Sequence, residues 1–168
     1  MQGFLHSDFG KMGLGIIRYL ENPIVGVIDT ENAGSNINIE HEIDRDIPIF
    51  SSLEEVLKKG AEVLVLGIAP SGGKIPKDWL PIIKDAINKG ISIINGLHDT
   101  LGDRFNKKIK NRENQWIWDV RVPKISCEIA TAKASKLTNK TVLMIGTDMA
   151  CGKMTAGLEI YQWAKNNN

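Results

Sequence analysis

Lys140-Thr-Val-Leu-Met-Ile-Gly-Thr-Asp-Met-Ala-Cys-Gly-Lys-Met-Thr155 runs from an apolar segment through a glycine loop to a lysine. Val142 to Ile145 have the character of a buried parallel strand. Gly146 and Gly152 bracket a loop, and Lys153 opens a helix-forming segment that extends to Lys165. Strand, glycine loop, lysine and helix follow one another in the order of a phosphate-binding loop. Glycines let backbone N–H groups turn toward an anion, the helix N-terminus adds its positive end, and the lysine supplies a mobile charge. The simpler alternative is an ordinary glycine-rich turn between strand and helix.

The spacing departs from G-x-x-x-x-G-K-[ST]. Five residues separate Gly146 from Gly152, and Met154 stands between Lys153 and Thr155. The longer Gly-Thr-Asp-x-x-x-Gly-Lys form resembles the loop of dethiobiotin synthetase and its relatives, where Gly-Lys is followed directly by Thr. The hydroxyl that would ligate magnesium is displaced here by one residue along the helix. That weakens the case for metal-assisted phosphoryl transfer more than the case for phosphate binding. The expected phosphate-cradling residues are Gly146, Thr147, Asp148, Gly152, Lys153 and Thr155.

Composition bounds the rest. A chain of 168 residues can make one good core or two small ones. Its 42% hydrophobic and 24% charged residues are those of a soluble globular protein. A net charge of +1 gives no reason to expect nucleic acid or an anionic membrane as partner. No apolar run approaches the roughly 18 residues of a membrane span, and Met1 to His6 lack the character of a signal peptide. Cys127 and Cys151, far apart, suggest neither a disulfide framework nor a zinc cluster. No metal site is expected, and the location expected is cytoplasmic.

Upstream, short apolar segments alternate with helical ones. Lys11 to Leu20 reads as a helix with Gly10, Gly13 and Gly15 at its start, and Ile24 to Asp29 as a strand ending in an acid. Glycines, helix, strand and acid suit a dinucleotide fold, but the strand before the glycines is nearly absent, so close helix packing and a strand-ending acid are favoured. Residues 30–46 read as a surface loop. Ile47 to Phe50 is a short strand, and Ser52-Leu-Glu-Glu55 a capping box whose helix stops at Gly60. Glu62 to Gly67 is the clearest buried strand of this half. Asp78 is expected to cap a helix that takes Pro81 in its first turn and ends at Gly90. Ile91 to Ile94 is a strand, a basic helix runs to about Arg112, and Trp116 to Val120 is a further strand whose tryptophans are core residues. Such alternation means parallel βαβ units, with ligands gathering at the carboxyl ends of the strands.

Taken together, these segments resemble a bacterial and archaeal family with a Rossmann-like N-terminal domain and a P-loop C-terminal domain, whose best-defined activity is D-glutamate N-acetyltransferase. The likeness lies in Gly15-Ile-Ile-Arg-Tyr19, Val25-Gly-Val-Ile-Asp29, Gly67-Ile-Ala-Pro70, Gly96-Leu-His-Asp99, Trp118-Asp-Val-Arg121, and Gly146-Thr-Asp148 with Gly152-Lys-Met-Thr155. Ile16 replaces the family's leucine. The resemblance implies an α/β protein: a Rossmann-like parallel sheet with flanking helices over 1–121, a linker over 122–139, and the first β-loop-α unit of a P-loop domain over 140–168. Members run to roughly twice this length, as two ordinary domains do. Truncation inside the P-loop domain is therefore the expectation, with activity absent from the fragment alone.

Three functions stay open. On the resemblance, the chain is an acetyl-CoA-dependent N-acetyltransferase acting on D-glutamate or a related D-amino acid. His98 or Asp99 would then deprotonate the amine and Arg121 would hold the carboxylate. Against this, Asp99 has the alternative of capping the next helix, and Arg121 that of a surface ion pair with Asp119. The second function is an ATP-dependent enzyme similar to dethiobiotin synthetase, with magnesium. The third is a non-catalytic nucleotide-binding fragment completed by a separate chain. A small-molecule substrate and a homo-oligomer are expected.

Overall fold

The computed structural model describes residues 1–109, 113–123, 125–126, 128–148 and 151–167. The expected continuation of the basic helix to Arg112, and Cys127, lie outside them. The chain divides into two units, Met1–Pro123 and Lys124–Asn168.

The first unit is α/β, with parallel strands throughout. Strand β1 (Val27–Ile28) pairs with β2 (Ile49–Phe50), and β3 (Val63–Val65), β4 (Ser92–Asn95) and β5 (Ile117–Asp119) pair in that order. Helix α1 (Lys11–Tyr19) precedes β1, and helices α2 (Ile37–His41), α3 (Leu53–Leu57), α4 (Leu80–Asn88) and α5 (Gly102–Phe105) lie between successive strands. Parallel strands cannot be joined by tight turns, so each crossover carries helix or irregular chain.

Two apolar cores result. One lies along β3 to β5 and α4, where Ile68, Ile83, Ala86, Ile87 and Ile93 are fully buried. The other gathers Leu5, Ile17, Val27, Ile37, Ile43, Ile47 and Ile49. That second core overturns the reading of residues 30–46 as surface loop. Asn36 caps α2 by accepting from the Asn38 N–H at 3.2 Å, and the same oxygen takes the Ile47 N–H at 3.0 Å. The polar run thus folds into a helical turn that drives Ile37 and Ile43 inward. Its alternation was hidden because the apolar residues are few and widely spaced.

Several local signals are realised. Ser52 Oγ accepts from the Glu55 N–H at 3.4 Å, and the Glu55 carboxylate returns to Ser51, one residue earlier than a regular capping box. Gly60 and Gly90 take positive φ beyond α3 and α4, and Pro81 stands in the first turn of α4. Asp78 does not cap α4; it lies in a 3-10 turn, Lys77–Trp79, and Trp79 occupies the cap position. Gly13 donates to the Gly67 carbonyl at 3.0 Å, and a Cβ at Gly13 would stand 2.6 Å from that oxygen. Close packing, not a dinucleotide, explains this glycine. Asp29 is fully buried and accepts from the Gly3, Glu31 and Asn32 N–H groups, a strand-ending tie.

Trp116 and Trp118 are 42% and 51% exposed, so they are not core residues. Trp118 in β5 and Trp116 just before it share the side opposite Ile117, which packs against the core. In the second unit, residues 141–146 pair with no strand among the described residues. Val142, Leu143 and Ile145 are exposed there, because an apolar segment is buried only where neighbours cover its faces. Helix α6 (Lys153–Asn166) follows the loop as expected. No helix among the described residues is long and apolar enough to cross a membrane.

Asn36→Ala is expected to lower the unfolding free energy by about 1–2 kcal/mol in urea denaturation, through loss of the cap and of the Ile47 bond. A second expectation concerns acid. His41 stacks on His6 with ring centroids 5.0 Å apart, and burial, then the His6 charge, holds its pKa below 6.5. The unfolded chain therefore binds this proton more readily. The stability is intact above pH 6.5 and falls as pH drops through the folded-state value. Melting temperatures recorded from about pH 7.5 to about 5 should decline, and less steeply in His41→Gln.

Candidate active site and phosphate loop

The carboxyl end of β4 is built around Asn95. Its side chain is fully buried, which a primary amide tolerates only with its bonds made. Its Nδ2 donates to the Asp99 carbonyl and to Asp119 Oδ1, both at 2.7 Å, while its Oδ1 accepts from the Leu97 N–H at 3.0 Å. Asp119, at the end of β5, also accepts from the N–H groups of Leu101 at 3.0 Å and Gly102 at 2.8 Å. One amide and one carboxylate thereby set the course of residues 95–102.

On this frame His98 and Asp99 are exposed. They face different partners. Asp99 Oδ2 accepts from the Ile75 N–H at 2.8 Å and so anchors the 71–75 turn. The His98 N–H donates to the Gly73 carbonyl at 2.7 Å, and its ring lies against Gly73 so closely that a Cβ there would run into it. Gly73 also holds φ +63, where a side chain is strained. The Pro70-Ser-Gly-Gly73 turn and the His98 loop are therefore one structure. Arg121 Nε donates to the Gly96 carbonyl at 2.7 Å, which fixes the exposed guanidinium beside the same loop. Strand β5 ends at Asp119, before Arg121, and Asp119 spends its oxygens on Asn95 and the start of α5. The surface ion pair between Asp119 and Arg121 is not formed. His98 and Asp99 follow β4 and Arg121 follows β5, so the three lie at the carboxyl end of the same sheet. Asn95 is the organising residue that sequence reasoning passed over, and a polar residue closing an apolar strand before glycine was its signal.

In the second unit, Gly152 takes φ +89 ahead of the first turn of α6, and the Ala156 N–H donates to its carbonyl at 2.9 Å. The Lys153 ammonium folds back over the loop, donating to the Asp148 carbonyl and lying 3.3 Å from Cys151 Sγ. The hydrogen bond from Lys153, then a backbone bond from Asp148, holds the exposed Cys151 thiol below its usual pKa. Gly146 leaves room for this arrangement: a Cβ there would meet Cys151 Sγ and stand 3.0 Å from Lys153 Cγ and Cδ. Thr147, Asp148 and Thr155 are exposed; Met149 and Ala150 lie outside the described residues. Lysine, glycines and helix start thus cluster as an anion site needs, and phosphate oxygens would meet the lysine and the first turn of α6. Among the described residues no group of His, Cys, Asp or Glu is arranged to hold a metal ion.

Asn95→Ala should destabilise the first unit by about 2–3 kcal/mol in urea denaturation, because the Asp99 carbonyl and the Leu97 N–H lose their partner.

Residues 30–123 match the model of DUF1611_N, a Rossmann-like domain of unknown function, and residues 128–168 that of its C-terminal P-loop domain. A D-glutamate N-acetyltransferase of a Pseudoalteromonas species is 40% identical over 119 residues, covering 70% of this chain and 35% of that protein. One from Tritonibacter scottomollicae is 31% identical over 149 residues, covering 88% and 41%. The crystal structure of a DUF1611 family protein from Anabaena variabilis superposes with a TM-score of 0.87 at 40% identity, covering 99% of this chain and 48% of that one. The chain thus spans less than half the length of these proteins. With a Rossmann-like domain along its first unit and P-loop sequence along its second, it belongs to the DUF1611 family.

Proposed function

We propose that this chain carries part of an N-acetyltransferase that acts on D-glutamate or a related D-amino acid with acetyl-CoA as donor. The observation that carries the reading is the likeness to two relatives named D-glutamate N-acetyltransferase at 40% and 31% identity. The geometry supports it from both units. Acetyl-CoA supplies an acetyl group activated as a thioester, and its pyrophosphate asks for the donors a phosphate loop presents. Lys153 would hold that pyrophosphate, with the glycine loop and the first turn of α6 adding backbone donors. Gly146, Thr147, Asp148, Gly152 and Thr155 shape the remainder of that seat.

In the first unit, a substrate amine must lose a proton before it can act as a nucleophile. His98 is exposed at a strand end and held against Gly73, in position to serve as the base. Arg121, held by the Gly96 carbonyl, would take the substrate carboxylate through its remaining N–H groups. Asp99 would position the turn beside His98 through Ile75.

The expected result is a melting-temperature rise with acetyl-CoA that Lys153→Ala removes. A ligand at about 100 times its Kd stabilises the folded state by about 2.7 kcal/mol, well within reach of a thermal-shift assay. Undiminished stabilisation in Lys153→Ala sinks the assignment of the loop. A shift with ATP only in the presence of magnesium would replace the transferase reading with that of an ATP-dependent enzyme.

A further inference from the structure

The segments that follow β3, β4 and β5, residues 66–76, 96–101 and 120–123, form the carboxyl end of that sheet, where the ligands of parallel sheets bind. Among their described residues two side chains carry a permanent positive charge, Arg121 and Lys74. Arg121 is tied to the Gly96 carbonyl, two residues before His98. Lys74 is tied to the same loop from the other side. Gly72 and Gly73 hold φ +75 and +63, conformations that glycine adopts without the strain of a side chain. The Gly73 carbonyl then accepts from the His98 N–H at 2.7 Å, and the Ile75 N–H donates to Asp99 Oδ2 at 2.8 Å. Both neighbours of Lys74 are thereby bonded to the His98–Asp99 pair, which fixes the backbone of the lysine beside the histidine.

Its charge is available. Lys74 is exposed, Asp99 turns Oδ2 to the Ile75 backbone, and the Lys74 ammonium has no hydrogen-bond or ion-pair partner among the described residues. A flexible four-carbon stem lets that ammonium follow an anion whose position varies, whereas the planar guanidinium of Arg121 suits a carboxylate held in one orientation. One base thus has a cation anchored on each side of it. A dicarboxylic amino acid carries the matching pattern, with one carboxylate on the carbon that bears the amine and a second at the end of its side chain.

We propose that Lys74 is a specificity-determining residue that holds the second, side-chain carboxylate of the substrate, so that the site selects acidic amino acids over neutral ones of the same shape. The proposal rests on the N-acetyltransferase reading, with His98 at the amine and Arg121 on the carboxylate beside it. Exposed ion pairs contribute little, so the preference is modest, about five-fold in Kd.

The test follows the Gly73 and His98 amides of the isotopically labelled chain by NMR while D-glutamate, or its uncharged isostere D-glutamine, is added. D-glutamate should bind about five-fold more tightly, and the preference should shrink as salt is added. In Lys74→Gln the two ligands should bind alike, and Lys74→Arg, which keeps the charge, should retain the preference. A preference that survives in Lys74→Gln, or is lost in Lys74→Arg, overturns the role of Lys74 and leaves the N-acetyltransferase reading standing, because both ligands still reach His98. If neither ligand moves these amides even at high millimolar concentration, the proposal falls together with the placing of the substrate at His98 and Arg121. The donor half of that reading is judged separately, by the response of Lys153→Ala to acetyl-CoA.

Discussion

A buried primary amide has four hydrogen-bonding positions and no water to fill them, and the architecture of the candidate site follows from how Asn95 meets that demand. It reaches forward to the Leu97 N–H, further to the Asp99 carbonyl and across to Asp119. Each bond fixes a different piece of chain, and Asp119 extends the network to the start of α5. His98 and Arg121 inherit their positions from this network. Neither is placed by its own burial, and both are held through backbone carbonyls, of Gly73 and Gly96.

The second unit depends on a different economy of groups. Its described apolar side chains are largely exposed, with Ile145 at 83% and Trp163 at 68%. Order there is local: the α6 backbone, the Lys153 hook onto Asp148, and the close approach of Met144 to Gly157, where an added Cβ would stand 3.2 Å from the methionine. A loop of this kind keeps its shape through short-range bonds even where long-range packing is slight. That is why its lysine, glycines and helix were legible in sequence.

Legibility elsewhere followed the range of the interactions. Gly60, Gly90, Pro81 and Ser52 act within a turn of themselves, and the structure uses each where its chemistry pointed. Features set by distant partners were read less well. Ile37 and Ile43 are buried by α1, β1 and β2, which a scan of a polar run does not reveal. Trp116 and Trp118 have the composition of core residues, but Trp118 lies on the exposed face of a three-residue edge strand and Trp116 just before it. Val142 to Ile145 have the composition of a strand but, among the described residues, none of the neighbours that make one. At the site, the residue types were visible. That Asp99 serves the 71–75 turn instead of capping the next helix was not, because the course of the backbone decides which partner its carboxylate meets.

The hooked lysine of the phosphate loop has a consequence for selectivity. Its ammonium already has the Asp148 carbonyl and the Cys151 sulfur as partners, so an incoming anion must displace an internal competitor before it gains anything. On the acetyl-CoA reading proposed above, a pyrophosphate, with several charged oxygens reaching lysine and backbone donors together, would repay that exchange better than a small monoanion.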